Sequence, residues 1–195
     1  NECGEPQEEP AAPEELSVPE NTYIQMPAGL KELIEKLDTT SRIEIKKKYD
    51  AAVELRESLS RIVLGQEAAV RSFTEGYFRS ELEMMLRPYS GSDTASARAP
   101  FVFVGGPGVG KTLLAETAAR FLGIEPLVMN MSEGFSHGEL VSYIESKPNG
   151  VVIFDEIEKA QHHTMVQLLP MLDTGYFNGR DCRGNIIIFT TNAGS

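Results

Sequence analysis

Over residues 43–62 apolar side chains return every three or four positions, with Tyr49, Ala52, Val53 and Leu59 near helical spacing, and the pattern predicts a helix. Its charged face, with Lys46, Lys47 and Lys48, reads as a solvated face. A shorter helix is expected over 30–37. After a turn at Gly65, residues 67–86 repeat the helical pattern, and Val70, Phe73, Tyr77 and Met84 or Met85 trace one apolar stripe. Pro88 ends it, and residues 88–99 have the polar, small-residue composition of a loop.

The rhythm then changes. Short apolar runs at 101–104, 127–131, 151–154 and 186–190 show no alternation with polar residues. Helical patterns at 111–122, 139–146 and 157–172 separate them, with Pro170 near the end of the last. A polar hairpin is expected over 176–185. Runs of this kind, spaced by helices, predict buried parallel strands in an α/β sheet flanked by helices.

Charge divides the chain. The net charge is -11, yet residues 1–20 hold seven Glu, four prolines and no Lys or Arg. Such a stretch cannot bury enough apolar surface to offset its ordering entropy, so residues 1–25 read as a disordered acidic tail or linker. Residues 26–60 read as a helical extension and 61–195 as the core. The remaining charge of about -4 leaves no basic stripe, so a nucleic-acid partner is not expected. No apolar run approaches the roughly 18 residues of a membrane span. Two distant cysteines, Cys3 and Cys182, fit a reducing cytoplasm better than a disulfide framework.

Three segments carry candidate chemistry. Gly105-Gly106-Pro107-Gly108-Val109-Gly110-Lys111-Thr112 fits G-x-x-x-x-G-K-[ST], the P-loop or Walker A pattern, between an apolar run and a helix. Its glycines let backbone N–H groups close round a phosphate chain, and the following helix directs its positive dipole end at the anion. Lys111 can reach the β- and γ-phosphates, and the Thr112 hydroxyl can ligate Mg²⁺. The second segment, 151–154 followed by Asp155-Glu156, sets two carboxylates at a strand end, where ligands bind in open α/β sheets. Asp155 is expected to hold Mg²⁺ and Glu156 to polarise an attacking water. The third is Asn192, at the end of the run beginning at Ile186 and 37 residues after Asp155, where an amide can bond that water or the γ-phosphate.

These segments, in this order, resemble the AAA+ ATPases, and the wording resembles the Clp branch of heat-shock unfoldases, above all the large subdomain of its second ATPase module. FDEIEKA at 154–160 and TTNAGS at 190–195 carry the likeness. So do Ile62-Val63-Leu64-Gly65-Gln66, Met131-Ser132-Glu133 and the Gly138-x-Leu140…Lys147-Pro148 run. The resemblance covers about residues 55–195. It implies a P-loop NTPase fold, ATP and Mg²⁺ as ligands, and ATP hydrolysis coupled to remodelling of a protein partner. It assigns phosphate binding to residues 106–113, including Leu113, with Lys111 also catalytic. It makes Thr112 and Asp155 the metal residues, Glu156 the catalytic carboxylate and Asn192 the sensor. Val63 and Leu64 would line the adenine pocket. It further implies a hexameric ring, and a peptidase as a further partner. The alternative is a nucleotide-dependent binding or assembly module with weak hydrolysis and no peptide threading.

Two features depart from the family. The Clp module has a long stretch with an aromatic pore loop between the Met-Ser-Glu and Gly-x-Leu segments; here only Gly134, Phe135, Ser136 and His137 intervene. Phe135 reads either as a reduced pore aromatic or, by preference, as a turn residue packed on the core. The family's arginine finger, fifth strand, second sensor arginine and helical lid all follow the point reached at Ser195. The chain is therefore expected to be a fragment without its lid. Arg180 and Arg183 do not sit where the family places a finger, a group contributing about 10³–10⁵ in rate. His162-His163 read as an exposed helix face.

Overall fold

The computed structural model describes Ile24, residues 37–86 and residues 98–192. The expected acidic tail and all but the last residue of the 30–37 helix lie outside the described residues. Helix α1 spans Thr39–Ile62 and α2 spans Glu67–Leu86. Then come β1 (Phe101–Val104), α3 (Lys111–Phe121), β2 (Leu127–Asn130), α4 (His137–Ser146) and β3 (Val151–Asp155). A single 3₁₀ turn at Ile157–Lys159 leads to α5 (His162–Asp173), the two-residue strands β4 (Tyr176–Phe177) and β5 (Arg180–Asp181), and β6 (Ile186–Thr191).

Strands β1, β6, β3 and β2 form a parallel sheet in that order. The central strands β3 and β6 explain the apolar runs, because each is buried on both faces. Val151 and Ile153 of β3, with Ile186 and Ile188 of β6, face a core built with α1, α2 and α3. Their neighbours Val152, Phe154, Ile187 and Phe189 face a second core with α4 and α5. The two strands at the ends of this order behave differently. Val102 and Val104 are 56% and 63% exposed, while Phe101 and Phe103 are half-buried. The expectation of a fully buried run therefore fails for β1, and for β2 at Val128.

Local chemistry sets the element ends. Asp38 caps α1, accepting from Ser41 N at 2.7 Å, so the helix begins four residues before the first apolar position that signals it. Ser136 caps α4 in the same way. The hairpin turn is Asn178-Gly179, both at positive φ, the geometry that matches strand twist. The helix expected over 157–172 is broken instead. Glu156 takes a left-handed conformation, one 3₁₀ turn follows, and Ala160 is extended before α5 restarts.

Lys46 and Lys47 pair with Asp50 and Glu44 on their own exposed face, but Lys48 does not belong to a solvated face. It reaches Glu81 of α2 at 2.6 Å. On its other oxygen Glu81 receives Arg98 at 2.6 Å, and Arg98 also donates to Ser80 at 2.5 Å. The triad ties α1, α2 and the approach to β1 together. Burial pushes the Glu81 carboxyl up, but hydrogen bonds and charge from Lys48 and Arg98 outweigh it and hold it below the usual 4.5. Burial also drives the neighbouring Tyr77 hydroxyl up to about 12. Glu81→Ala would leave Arg98 buried without its anion, at a cost of about 3 kcal/mol in urea denaturation at pH 7. Since the folded carboxyl titrates below the unfolded one, the wild-type advantage is full above the unfolded value and lost as pH falls through the folded one. An equal stability difference at pH 7 and pH 3 would refute this account.

Candidate functional site

The strand order brings the three sequence segments together. Strand β6 lies between β1 and β3, so the C-terminal ends of all three are neighbours. The ladder continues past β1, where Gly105 N donates to Thr191 O at 3.3 Å. From these ends come the glycine turn, the Asp155-Glu156 pair and Asn192. They bound a cleft of about 290 Å³ lined by Gly108, Lys111, Thr112, Asp155, Glu156 and Asn192 among others.

The glycine turn depends on its residue type. Gly108 and Gly110 have φ of 77° and 92°, which a side chain rarely tolerates, and Gly110 then serves as N-cap of α3. No side chain caps that end, so the first amides of α3 are left to face an anion. Lys111 Nζ donates at 2.8 Å to Gly105 O, to Gly106 O and to Asn192 Oδ1. All three ammonium protons are thus committed, and the charge is held over the loop.

Asn192 joins the segments. Its Oδ1 accepts from Lys111, its Nδ2 donates to Glu156 Oε1 at 3.2 Å, and its backbone N–H donates to Glu158 Oε1 at 3.2 Å. Only this amide orientation serves a cation on one side and a carboxylate on the other. Burial pushes the Glu158 carboxyl up, yet hydrogen bonds from its own backbone, Thr191 and Asn192 bring it below the usual 4.5. Glu158 is therefore an anion that fixes the backbone of Asn192. Thr112 Oγ1 donates to Asp155 Oδ1 at 2.6 Å, and Thr190 Oγ1 donates to the same oxygen at 2.5 Å.

The donor set fits Mg²⁺. Thr112 and Asp155 present hard oxygens at one point, and the two carboxylates of the cleft outnumber its one lysine. Among the described residues no group of three His, Cys, Asp or Glu could hold a metal by itself. A cation that keeps several waters and takes one or two protein oxygens beside substrate phosphates suits such a site.

Residues 101–194 match the family model described as the ATPase family associated with various cellular activities. Those residues are an AAA domain. The chain is similar to chaperone protein ClpB of Nitratidesulfovibrio vulgaris, 32% identical over 173 residues, and to ClpB of Mycobacterium tuberculosis, 34% over 170 residues. It is 31% identical over 170 residues to heat shock protein hsp98 of Neurospora crassa. Each match covers 73% of this chain, which spans only 18–19% of the length of those relatives.

Between the AAA domain and the helix before it, a second cleft, of about 570 Å³, adjoins the first and shares Gly110 and Lys111 with it. It runs between α2 and β1, with Val63, Ala69, Phe73, Val109 and Leu114 in its walls. Val63 is buried, whereas Leu64 is 79% exposed and not part of that lining. Pro107, Val109 and Leu113 are exposed at the surface of the glycine turn and the start of α3, and Gly106 is half-buried. Phe135 is half-buried against the second core, with its ring centroid 6.2 Å from that of Phe177 and 6.5 Å from that of His137. Arg180 pairs with Glu145, and Arg183 with Asp181 at 2.6 Å while lying over the Tyr176 ring. His162 and His163 are exposed at the start of α5. Cys182 is buried, its thiol donating to Gly175 O and pushed up to about 11 by burial. No helix of the described residues is long and apolar enough to cross a membrane.

Sequence reasoning misses Thr190 and Glu158. Thr190 ends an apolar run and reads as a strand residue. Glu158 reads as a helix-surface acid until the 3₁₀ turn places it against Asn192.

Proposed function

We propose that this AAA domain binds Mg·ATP and hydrolyses it, and that hydrolysis drives remodelling of a protein partner by a ring of such chains in the cytoplasm. The observation that supports it is the convergence of Lys111, Thr112, Asp155, Glu156 and Asn192 in one cleft, linked by hydrogen bonds. The glycine amides and Lys111 bind the β- and γ-phosphates. Thr112 and Asp155 would hold Mg²⁺, which when bound neutralises charge developing on the phosphate oxygens. Glu156 accepts a hydrogen bond from water, and Asn192 orients both. The water oxygen bonds to the γ-phosphorus as the bond to the β-phosphate oxygen breaks, leaving ADP and phosphate. Lys111 and the amides stabilise the charge that moves outward. The base is assigned to the adjoining cleft, against Val63, with Leu64 beside it in sequence. A peptidase as a further partner rests on the Clp likeness.

A second reading, a nucleotide-dependent assembly module with weak hydrolysis and no threading, draws on the packing of Phe135 against Phe177 and His137. An aromatic held there is not free to grip a peptide. Steady-state ATPase rate per chain, measured against protein concentration, separates the two. A rate that climbs several-fold with concentration is expected if neighbouring chains complete the site. A flat, near-background rate with ATP still tightly bound would favour the second reading. Absence of nucleotide binding would defeat both.

A further inference from the structure

The buried hydroxyl of Thr190 links the Asp155 carboxylate of the proposed site to the backbone N–H of Glu156. Thr190 lies near the C-terminal end of β6, the strand that separates the glycine turn from Asp155-Glu156, and is 1% exposed. Its Oγ1 donates to Asp155 Oδ1 at 2.5 Å and accepts from Glu156 N at 3.1 Å. Both capacities of the hydroxyl are therefore in use, which fixes its rotor.

The position is where strand pairing gives out. The β3–β6 ladder is in register up to Phe154 opposite Phe189. The next step along β3 is Asp155, and then Glu156 turns into the left-handed region at φ 54°. A residue with a side chain keeps that conformation only where its surroundings hold it. The N–H of Glu156 leaves the ladder at this step, and the Thr190 hydroxyl takes it in place of a backbone carbonyl. A β-branched residue on a strand has few χ1 options, so the hydroxyl is delivered to one point.

Asp155 Oδ1 receives two hydroxyl protons, from Thr112 and from Thr190. The two differ in what else they do. Thr112 is the residue assigned to Mg²⁺ in the ATPase reading, whereas one lone pair of Thr190 is engaged by Glu156 N–H. In the reading above the metal duty falls to Thr112, and Thr190 is left with the two protein partners it bonds.

We propose that Thr190 is a positioning residue that locks the metal carboxylate of Asp155 and the backbone of catalytic Glu156 to each other through one hydroxyl. This inference rests on the ATPase reading above. Its strongest effect falls on how much Mg²⁺ tightens nucleotide binding, since a group that orients a metal ligand is typically worth 10–100-fold in metal affinity.

The test is a fluorescence titration of the full chain with a labelled ADP, with and without Mg²⁺. In Thr190→Val, which keeps the shape and removes the hydroxyl, the Mg²⁺-dependent gain in affinity is expected to shrink about tenfold. The Mg²⁺-free affinity, which does not draw on Asp155, serves as the reference. Thr190→Ser, which restores the hydroxyl, is expected to recover most of the gain. Equal gains in Thr190→Val and wild type would overturn the inference. So would an equal loss with and without Mg²⁺, or a Ser variant no better than Val, since either describes a merely structural residue. If Thr190→Val does not fold, Thr190→Cys carries the same test with a weak donor in nearly the same volume. A wild-type chain that binds no nucleotide with Mg²⁺ present would instead remove the ATPase reading, and the inference with it.

Discussion

Glu156→Gln is expected to lower the maximal hydrolysis rate by about 10²–10⁴-fold, the usual share of a positioned acid–base group. Nucleotide affinity should move less than about threefold. The asymmetry follows from where Glu156 sits. Its carboxylate touches Asn192 and not Lys111 or Thr112, the groups assigned to phosphate and metal. A glutamine keeps one oxygen to accept the Asn192 amide, so the local geometry survives. What it loses is the negative charge that draws a proton from water. Rate is read at the protein concentration giving the highest activity per chain, and affinity by equilibrium titration. A rate within tenfold of wild type would remove Glu156 from the chemistry. A parallel loss of affinity would mean that the left-handed turn at Glu156 had collapsed.

How far the sequence foretold this site depends on the kind of residue. The glycine turn was legible because backbone conformation dictates composition there: Gly108 and Gly110 sit at positive φ, and substitutes are scarce. Asp155, Glu156 and Asn192 were legible because apolar runs end directly beside them, and parallel strands bring such ends to one edge. Thr190 and Glu158 were not, since their roles depend on pairing across 35 and 34 residues. Nothing in IIIFTT marks one hydroxyl as bonded to a carboxylate.

The fold shows the same division. Helical periodicity found α1, α2 and α3 because each has one face in a core. The break after Lys159 was hidden because residues 157–172 carry a continuous apolar pattern. What interrupts it is the extended backbone at Ala160 and Gln161, after a 3₁₀ turn that the bond from Asn192 to Glu158 holds to β6. Likewise β1 reads as a buried run in FVFV, yet the strand order puts it at one end of the described sheet, and alternate valines face outward. The Lys48–Glu81–Arg98 triad escaped for a similar reason. A lysine on a charged helix face reads as solvated until the partner helix supplies a buried acid.

Lys111→Met is expected to weaken ATP binding by about a hundredfold, at almost no cost to the fold. Truncating one partner of a desolvated charge pair typically costs 2–5 kcal/mol, and 2.7 kcal/mol corresponds to about a hundredfold. Methionine keeps most of the stem and removes the ammonium that lies within hydrogen-bond reach of Gly105 O, Gly106 O and Asn192 Oδ1. Those three acceptors line or adjoin an open cleft, so water can take them over, and the melting temperature should change little. The effect on Asn192 is the more telling part. Without the ammonium its oxygen loses a charged donor, and the amide is left held by its 3.2 Å bond to Glu156. Lys111→Met should therefore also lower the rate at saturating ATP, beyond what weaker binding explains, whereas Lys111→Arg should retain the charge but misplace it in a loop shaped for one nitrogen. An unchanged maximal rate in the Met variant, with only the half-saturating ATP concentration raised, would show that Lys111 binds phosphate without holding the sensor.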